Sequence, residues 1–510
     1  MKKKHTLTGP DSRRKQDPPV ITGAGAGFIL KKRFFPVLAV VIVIILLLIL
    51  FSSRLSDWLK IKKSSPPDAV FLIIVETLRA DRLSCYGYTS HTTRYIDGLA
   101  SAGVMFTRAQ STGSWTLPGV GAIMTSCYPT QLGFIERPAE PDKRFNQRDR
   151  RKQLNYIIPS FQPTLAEIMR DAGFYTAAFI NQPLFNPRSG FQHGFVDYYY
   201  PVGRGILERF ESKSSFHRQK WTSQKDAFFN DRALVQEFEK WLKRHAKKKI
   251  FVWLHLFTPH RPYLPLRRFR AKISPKTSPK ERQSALYDGE ILMSDKLIGK
   301  VLTTIKQYVG LKRSLIVFTS DHGEEFWEHG SYDHGHSLHR EVVHVPLIIV
   351  SPLFPAGSTV NRYVRTIDIL PTILDHTGVQ SPGPYKFAGT SLNPVVLKEG
   401  ANLPVYSEGM LYGSTKRSLI EDGYKLIYVE QPDQWKLYDT RTDEGETIDL
   451  SDKLPERTEM MRRKIARLHI RFKKDYRMLR KKAPEYETKS DRQQALKALE
   501  ALGYITKSKE

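Results

Sequence analysis

Three short apolar runs constrain this chain more than any other feature: AVFLIIV at 69–75, IFVWLHL at 250–256 and LIVF at 315–318. Each has the length and branched-residue content of a strand. None alternates regularly with polar residues, so each predicts a strand buried on both faces, as in a parallel sheet. Residues that carry chemistry follow each run. Glu76-Thr77 follow the first, Thr258-Pro259-His260-Arg261 the second and Asp321-His322 the third. In open α/β sheets ligands bind beyond the carboxyl ends of the strands. The chain therefore predicts one site assembled from strand ends far apart in sequence.

Helical patterns separate the runs. An amphipathic stretch over 164–173 closes at Gly173 and leads into a strand at 175–180, and further helices are expected over 95–103, 231–245 and 284–308. This order argues for an α/β fold, a mainly parallel sheet flanked by helices. A strand at 347–350 and a helix at 367–377 extend it. From about residue 403 the texture changes. Short alternating runs at 424–429 and 435–438 predict a small antiparallel sheet, and a basic amphipathic helix over 452–480 is expected to pack on it. One more short helix is expected near 496–503. Residues 136–153 read as an exposed loop and 202–222 as basic and irregular.

Residues 1–33 are basic and lack apolar periodicity, which predicts a disordered tail. Residues 34–51 read FFPVLAVVIVIILLLILF, without a charge. At about 1.5 Å per residue this run crosses a bilayer core of roughly 30 Å, helped by Ser52 and Ser53. Lys31-Lys32-Arg33 precede it, so the positive-inside rule predicts a cytoplasmic N-terminus and a periplasmic or extracellular remainder. No small-x-small cleavage site follows, which favours an uncleaved single-pass anchor over 34–53. Residues 54–68 read as a basic linker, 69–400 as a catalytic domain and 401–510 as a C-terminal subdomain.

The chain has 510 residues and a net charge of +28. Such a charge implies anionic surroundings: lipid head groups, or phosphorylated or sulfated polymers. No zinc-finger spacing or aromatic RNA-binding signature is present, so nucleic acid is not an expected partner. Cys85 and Cys127 make no disulfide framework. One bridge between them and two free buried thiols both fit the sequence.

The stretch VFTSDHGEEFWEHGSYDHGH at 317–336 holds four histidines and several carboxylates. An oxygen donor beside an imidazole, Asp321-His322, suits a shared divalent metal, with His334 and His336 nearby. Glu76 ends a buried strand, where a carboxylate is costly unless paired or bound to metal. Thr116 lies just ahead of Pro118, at the expected start of a helix. A hydroxyl at that positive end is placed to meet an anion or to attack one. On this segment alone the simpler reading of Thr116 is an N-cap.

Taken together, the segments resemble the sulfatase branch of the alkaline phosphatase superfamily. They are IIVETLRADRLSCYGY (73–88), SWTLPGVGAIMTSCYPTQLG (114–133), TLAEIMRDAGFYTAAF (164–179), LHLFTPHRPY (254–263), FTSDHGEEFWEHG (318–330), TIDILPTILDHTGV (366–379) and KLYDTRTDEGE (436–446), with ALEALGYI (498–505) as a matching tail. The departures are as telling. Sulfatases of this pattern carry Cys-x-Pro-Ser-Arg, whose Cys becomes formylglycine; here the register reads Thr116-Leu117-Pro118-Gly119-Val120. Glu76-Thr77 stand for the usual Asp pair, and Asp321-His322 for Asp-Asn.

The set Glu76, Thr116, Asp321 and His322 is similar instead to the phosphoethanolamine and lipoteichoic-acid transferase branch. That resemblance implies those four residues as metal ligands, with Zn or Mn expected and Ca or Mg admitted. It implies Thr116 as nucleophile, with His260 and His334 holding the anion, binding a second metal or protonating the leaving oxygen. His336 and Arg261 are further candidates for anion contact. The expectation is a membrane-anchored, outward-facing enzyme that cleaves or transfers a phospho- or sulfo-ester of a lipid, glycan or envelope polymer. Two alternatives stay open: a sulfatase working without formylglycine, and an inactive anchored relative that binds anions.

Overall fold

In the computed structural model, residues 65–481 are described, apart from 91–92, 135–139, 143–146, 150–157, 160, 188, 204–205, 211–226, 271–273, 275, 382, 384–386 and 398–401. The expected tail and anchor over 1–53, and the closing helix near 496–503, lie outside the described residues. Among the described residues no helix is long and apolar enough to cross a membrane.

Among the described residues the central sheet has nine strands: β1 (Ala69–Val75), β2 (Val104–Gln110), β3 (Tyr175–Ile180), β4 (Asp197–Gly203), β5 (Ile206–Phe210), β6 (Ile250–Leu256), β7 (Ser314–Thr319), β8 (Leu347–Val350) and β9 (Ser358–Arg365). Their spatial order is β9-β2-β8-β7-β1-β6-β3-β4-β5. The three apolar runs are thus adjacent central strands, and β1 pairs in parallel with both β6 and β7. Strand β8 is antiparallel to both of its neighbours, and at one edge β5 is antiparallel to β4.

The apolar runs are continuous because both sheet faces are covered. Val70, Leu72 and Ile74 of β1 join the core on one side, and Ala69, Phe71, Ile73 and Val75 join the core on the other. On the first side the core includes residues of α2 (Thr116–Thr125), α3 (Leu165–Asp171) and α6 (Ile369–Thr377). On the second it includes residues of α1 (Arg94–Ala102), α4 (Ala227–His245) and α5 (Pro279–Tyr308). A four-stranded antiparallel sheet follows, β10 (Val405–Glu408), β11 (Lys416–Glu421), β12 (Tyr424–Val429) and β13 (Gln434–Asp439), in sequence order. The long helix α7 (Pro455–Arg480) packs Met461, Ile465 and Phe472 onto it. Ala122 of α2 shares that core, so the small sheet leans on the helix that carries Thr116.

Several local expectations are corrected. Helix α5 starts earlier than residue 284, because Ser278 and Glu281 form a capping box with Pro279 in the first turn. The stretch expected to be irregular at 202–222 includes β5, which pairs antiparallel with β4. Two three-residue strands, Glu140–Asp142 and Gln147–Asp149, pair within the expected loop at 136–153. Thr116 is the first residue of α2, not its cap, and the N-cap position belongs to Trp115. Cys85 and Cys127 are both free thiols.

Candidate active site

The parallel register of the central strands builds the site. Val75 of β1 lies beside Leu256 of β6, and Ile74 lies beside Thr319 of β7. The chain therefore leaves all three strands at one level, and Glu76, Asp321 and His322 meet there, fully buried. Thr77 turns the chain with a positive φ of 54°, and its amide donates to Asp321 Oδ1 at 3.2 Å.

Thr116 reaches this cluster from the first turn of α2. Its hydroxyl donates to Glu76 Oε1 at 2.9 Å and lies 3.4 Å from His322 Nε2. The helix start is held close by Gly119, where a Cβ would sit 2.6 Å from the Asp321 carbonyl oxygen. His322 Nδ1 is 2.8 Å from the Gly323 carbonyl. That bond takes the ring proton, so Nε2 presents its lone pair toward Thr116 and toward Asp321 Oδ2, 3.3 Å away. Burial lowers the His322 pKa to about 4, so the ring is neutral at pH 7.

The electrostatics of these four donors suit a cation. Burial pushes the Glu76 carboxyl up to about 7; the His255 hydrogen bond opposes the shift and the nearby Asp321 charge adds to it. Among the described residues Asp321 Oδ2 has no hydrogen-bond partner although it is buried. An unpartnered carboxylate oxygen, a second buried carboxylate, a neutral imidazole nitrogen and a hydroxyl all within a few ångströms fit a divalent cation.

His260 and His334 stand at the edge of this cluster. His260 Nε2 is 4.0 Å from Glu76 Oε1, while its Nδ1 bonds the Arg261 carbonyl at 2.6 Å. The His334 ring lies 4.4 Å from that of His322 and 5.1 Å from that of His260. His334 Nδ1 sits 3.0 Å from both Glu324 Oε1 and Asp333 Oδ1. Burial alone would neutralise that ring, but the two carboxylates outweigh it and lift its pKa to about 10. Burial pulls the His260 pKa well below the usual imidazole range, and the neighbouring His334 adds to the effect. The site thus pairs a neutral imidazole with an imidazolium.

Glu324, Asp333 and His334 could by geometry hold a second metal. Charge argues otherwise: Arg261 pairs with Asp333 at 2.9 Å, and Tyr263 donates to Glu324 at 2.8 Å. Two cations and two carboxylates balance without an ion. Arg261 thereby holds Asp333, and His336 Nε2 is taken by Glu325 Oε2 at 2.9 Å. Both lie beside the site, engaged with carboxylates.

Two residues at the site were not anticipated. His255, inside the apolar run of β6, has Nε2 3.2 Å from Glu76 Oε2. Gln182, two residues past β3, donates its amide to Glu76 Oε1. The signal for His255 was an imidazole in an otherwise apolar strand; Gln182 gave none.

Fold and donor set define the class: an α/β protein of the sulfatase-like type, with a strand-end site suited to a divalent cation. A family model described as Sulfatase matches residues 68–379, and one described as N-sulphoglucosamine sulphohydrolase, C-terminal, matches 327–473. The chain belongs to the sulfatase family. It is 32% identical over 172 residues to an N-acetylglucosamine-6-O-sulfatase of Bacteroides thetaiotaomicron, a match spanning 31% of this chain and 30% of that one. A protein named Sulfatase from Formosa agariphila is 22% identical over 448 residues, 78% of this chain and 85% of its own. The fold is similar to that of the phosphonate monoester hydrolase of Agrobacterium radiobacter, with a TM-score of 0.60 and 19% identity, covering 80% of this chain and 96% of that one.

Proposed function

We propose that this protein is a metal-dependent hydrolase that cleaves an anionic sulfo- or phospho-ester through the hydroxyl of Thr116. One observation carries the reading: Thr116 Oγ1 lies 2.9 Å from Glu76 Oε1 and 3.4 Å from His322 Nε2, inside a buried donor set. Glu76, Asp321, His322 and Thr116 would hold the cation. When bound, it supplies positive charge that acidifies a nearby hydroxyl and steadies an anionic transition state.

The chain's own groups do the rest. Thr116 Oγ1 hydrogen-bonds Glu76 Oε1; since that oxygen would hold the cation, the Thr116 proton leaves to water as Oγ1 attacks. Oγ1 bonds to the sulfur or phosphorus of the ester as the ester oxygen leaves. His334, held as an imidazolium by Glu324 and Asp333, binds the anion and gives the leaving oxygen a proton. His260, neutral, accepts a proton from the water that then displaces the group from Thr116. An acceptor alcohol in place of water would make the same site a transferase.

The family and the names of the relatives support sulfate esters of sugars as substrates. The similarity to a phosphonate monoester hydrolase, and an unmodified hydroxyl as nucleophile, support phosphorus esters as well. The uncharged run at 34–51, with Lys31-Lys32-Arg33 before it, supports anchoring in a membrane with the site outside the cytoplasm. The test is a panel of sulfate monoesters, phosphate monoesters and phosphate diesters, run on the wild-type chain and Asp321→Ala with metal content measured in parallel. Metal in the wild type alone, together with ester cleavage lost in the variant, is the expected result. Equal cleavage by both chains would remove the reading.

A further inference from the structure

We propose that His255 is a positioning residue that reserves one oxygen of Glu76 and so sets which cation the site accepts. The inference rests on the metal-site reading above.

An imidazole buried in the middle of a parallel sheet needs a physical reason. His255 is fully buried, beside Ile74 of β1 and Ile180 of β3 in the register. Its ring packs edge-on against Phe185 and Trp253, at 5.3 and 5.8 Å between centroids. Among the described residues its Nδ1 has no hydrogen-bond partner, while Nε2 meets Glu76 Oε2 at 3.2 Å. A buried N–H without an acceptor is costly, whereas an unused lone pair is cheaper to bury. The proton therefore sits on Nε2 and is donated to Glu76. In that tautomer Nε2 cannot ligate a cation. His322 has the opposite arrangement, its Nδ1 engaged by the Gly323 carbonyl and its Nε2 open to the site.

The consequence falls on Glu76. With Oε2 engaged by His255, Oε1 is the oxygen left beside Thr116. Gln182 donates to that same Oε1, and its own Oε1 accepts from the Leu184 amide at 3.1 Å, which fixes the amide's orientation. Asp321 is similarly limited, since its Oδ1 accepts from the amides of Thr77 and His322 at 3.2 and 3.0 Å. Each carboxylate then has at most one oxygen for a cation, and Glu76 Oε1 shares its lone pairs with the Gln182 amide. Calcium takes six to eight oxygen ligands, a number that two-oxygen carboxylates help to reach, whereas zinc accepts four mixed nitrogen and oxygen donors. The clamp on Glu76 thus favours zinc over calcium.

The test uses the full chain, stripped with chelator and titrated calorimetrically with Zn²⁺ and with Ca²⁺. His255→Leu removes the donor, and His255→Gln restores an N–H at the Nε2 position. His255→Leu should lose about 10- to 100-fold in zinc affinity, as removal of an outer hydrogen-bond partner usually does, with calcium binding unchanged or tighter. His255→Gln should recover most of the zinc affinity, and thermal melts without metal report whether each variant folds. Wild-type zinc affinity in His255→Leu, or a loss in His255→Gln as large as in His255→Leu, overturns the inference. A wild-type chain that takes up neither cation sinks the metal-site reading itself, and this inference with it.

Discussion

The amide of Thr77 donates to Asp321 Oδ1 at 3.2 Å, although 244 positions separate the two residues. This bond ties the end of one central strand to the end of its neighbour. It also engages one carboxylate oxygen and leaves Oδ2 buried without a hydrogen-bond partner among the described residues. On the metal-site reading, this arrangement would destabilise the metal-free protein and stabilise the loaded one.

Asp321→Asn separates those two effects. Asn keeps an oxygen for the Thr77 and His322 amides but removes the buried charge. Without metal, the variant is expected to melt at or above the wild-type temperature. Saturating zinc should raise the wild-type stability, by about 2.7 kcal/mol at a hundred times Kd, and leave the variant unmoved. Scanning calorimetry with and without zinc makes the comparison; equal zinc-induced shifts would count against Asp321 as a ligand.

Gly119→Ala tests the contact between α2 and the loop that bears Asp321. The added Cβ would lie 2.6 Å from the Asp321 carbonyl oxygen, so helix or loop must move. Overpacking of this kind costs roughly 1–3 kcal/mol, and here it also displaces Thr116. A lower melting temperature and slower turnover are expected together. Unchanged turnover in a destabilised variant would mean that Thr116 need not be held so closely.

Lys425 and Glu446 are both buried, with Nζ 2.7 and 3.0 Å from the two carboxylate oxygens, and His339 Nδ1 lies 3.0 Å from Glu446 Oε2. Burial would raise the Glu446 pKa, but Lys425 and His339 overcome it and hold it at about 2, against an ordinary 4.5. A depressed folded-state pKa contributes stability that is complete above the ordinary value and is lost as pH falls from there toward 2. Glu446→Gln should flatten this acid limb in urea titrations at descending pH. At pH 7 it should cost roughly 3–5 kcal/mol, because Lys425 is left buried and unpaired. An acid limb unaltered by the substitution would show that other carboxylates govern it.

What the sequence reveals, and what it hides, has physical causes. A strand covered on both faces must be apolar throughout, so β1, β6 and β7 stand out, and the acids and histidines just past them stand out with them. Strand β9 exposes Thr359 and Asn361 and alternates, so it carries no such mark. Register is set by hydrogen bonds between strands and has no local signature. Nothing near Gln182 or His255 announces that both turn toward Glu76. The N-cap reading of Thr116 failed for a similar reason: its hydroxyl is spent on a carboxylate from another strand, a partner invisible within its own segment.

The reaction proposed for Thr116 requires a covalent bond between its oxygen and the substrate. The most direct measurement is an acid quench during turnover of the preferred ester, followed by mass spectrometry of the peptide containing Thr116, with Thr116→Ala as control. A sulfo or phospho group is expected on Thr116 in the wild type and none in the variant, with the variant's turnover reduced by about 10³-fold or more. An unmodified Thr116 together with full activity in Thr116→Ala would contradict the proposed reaction.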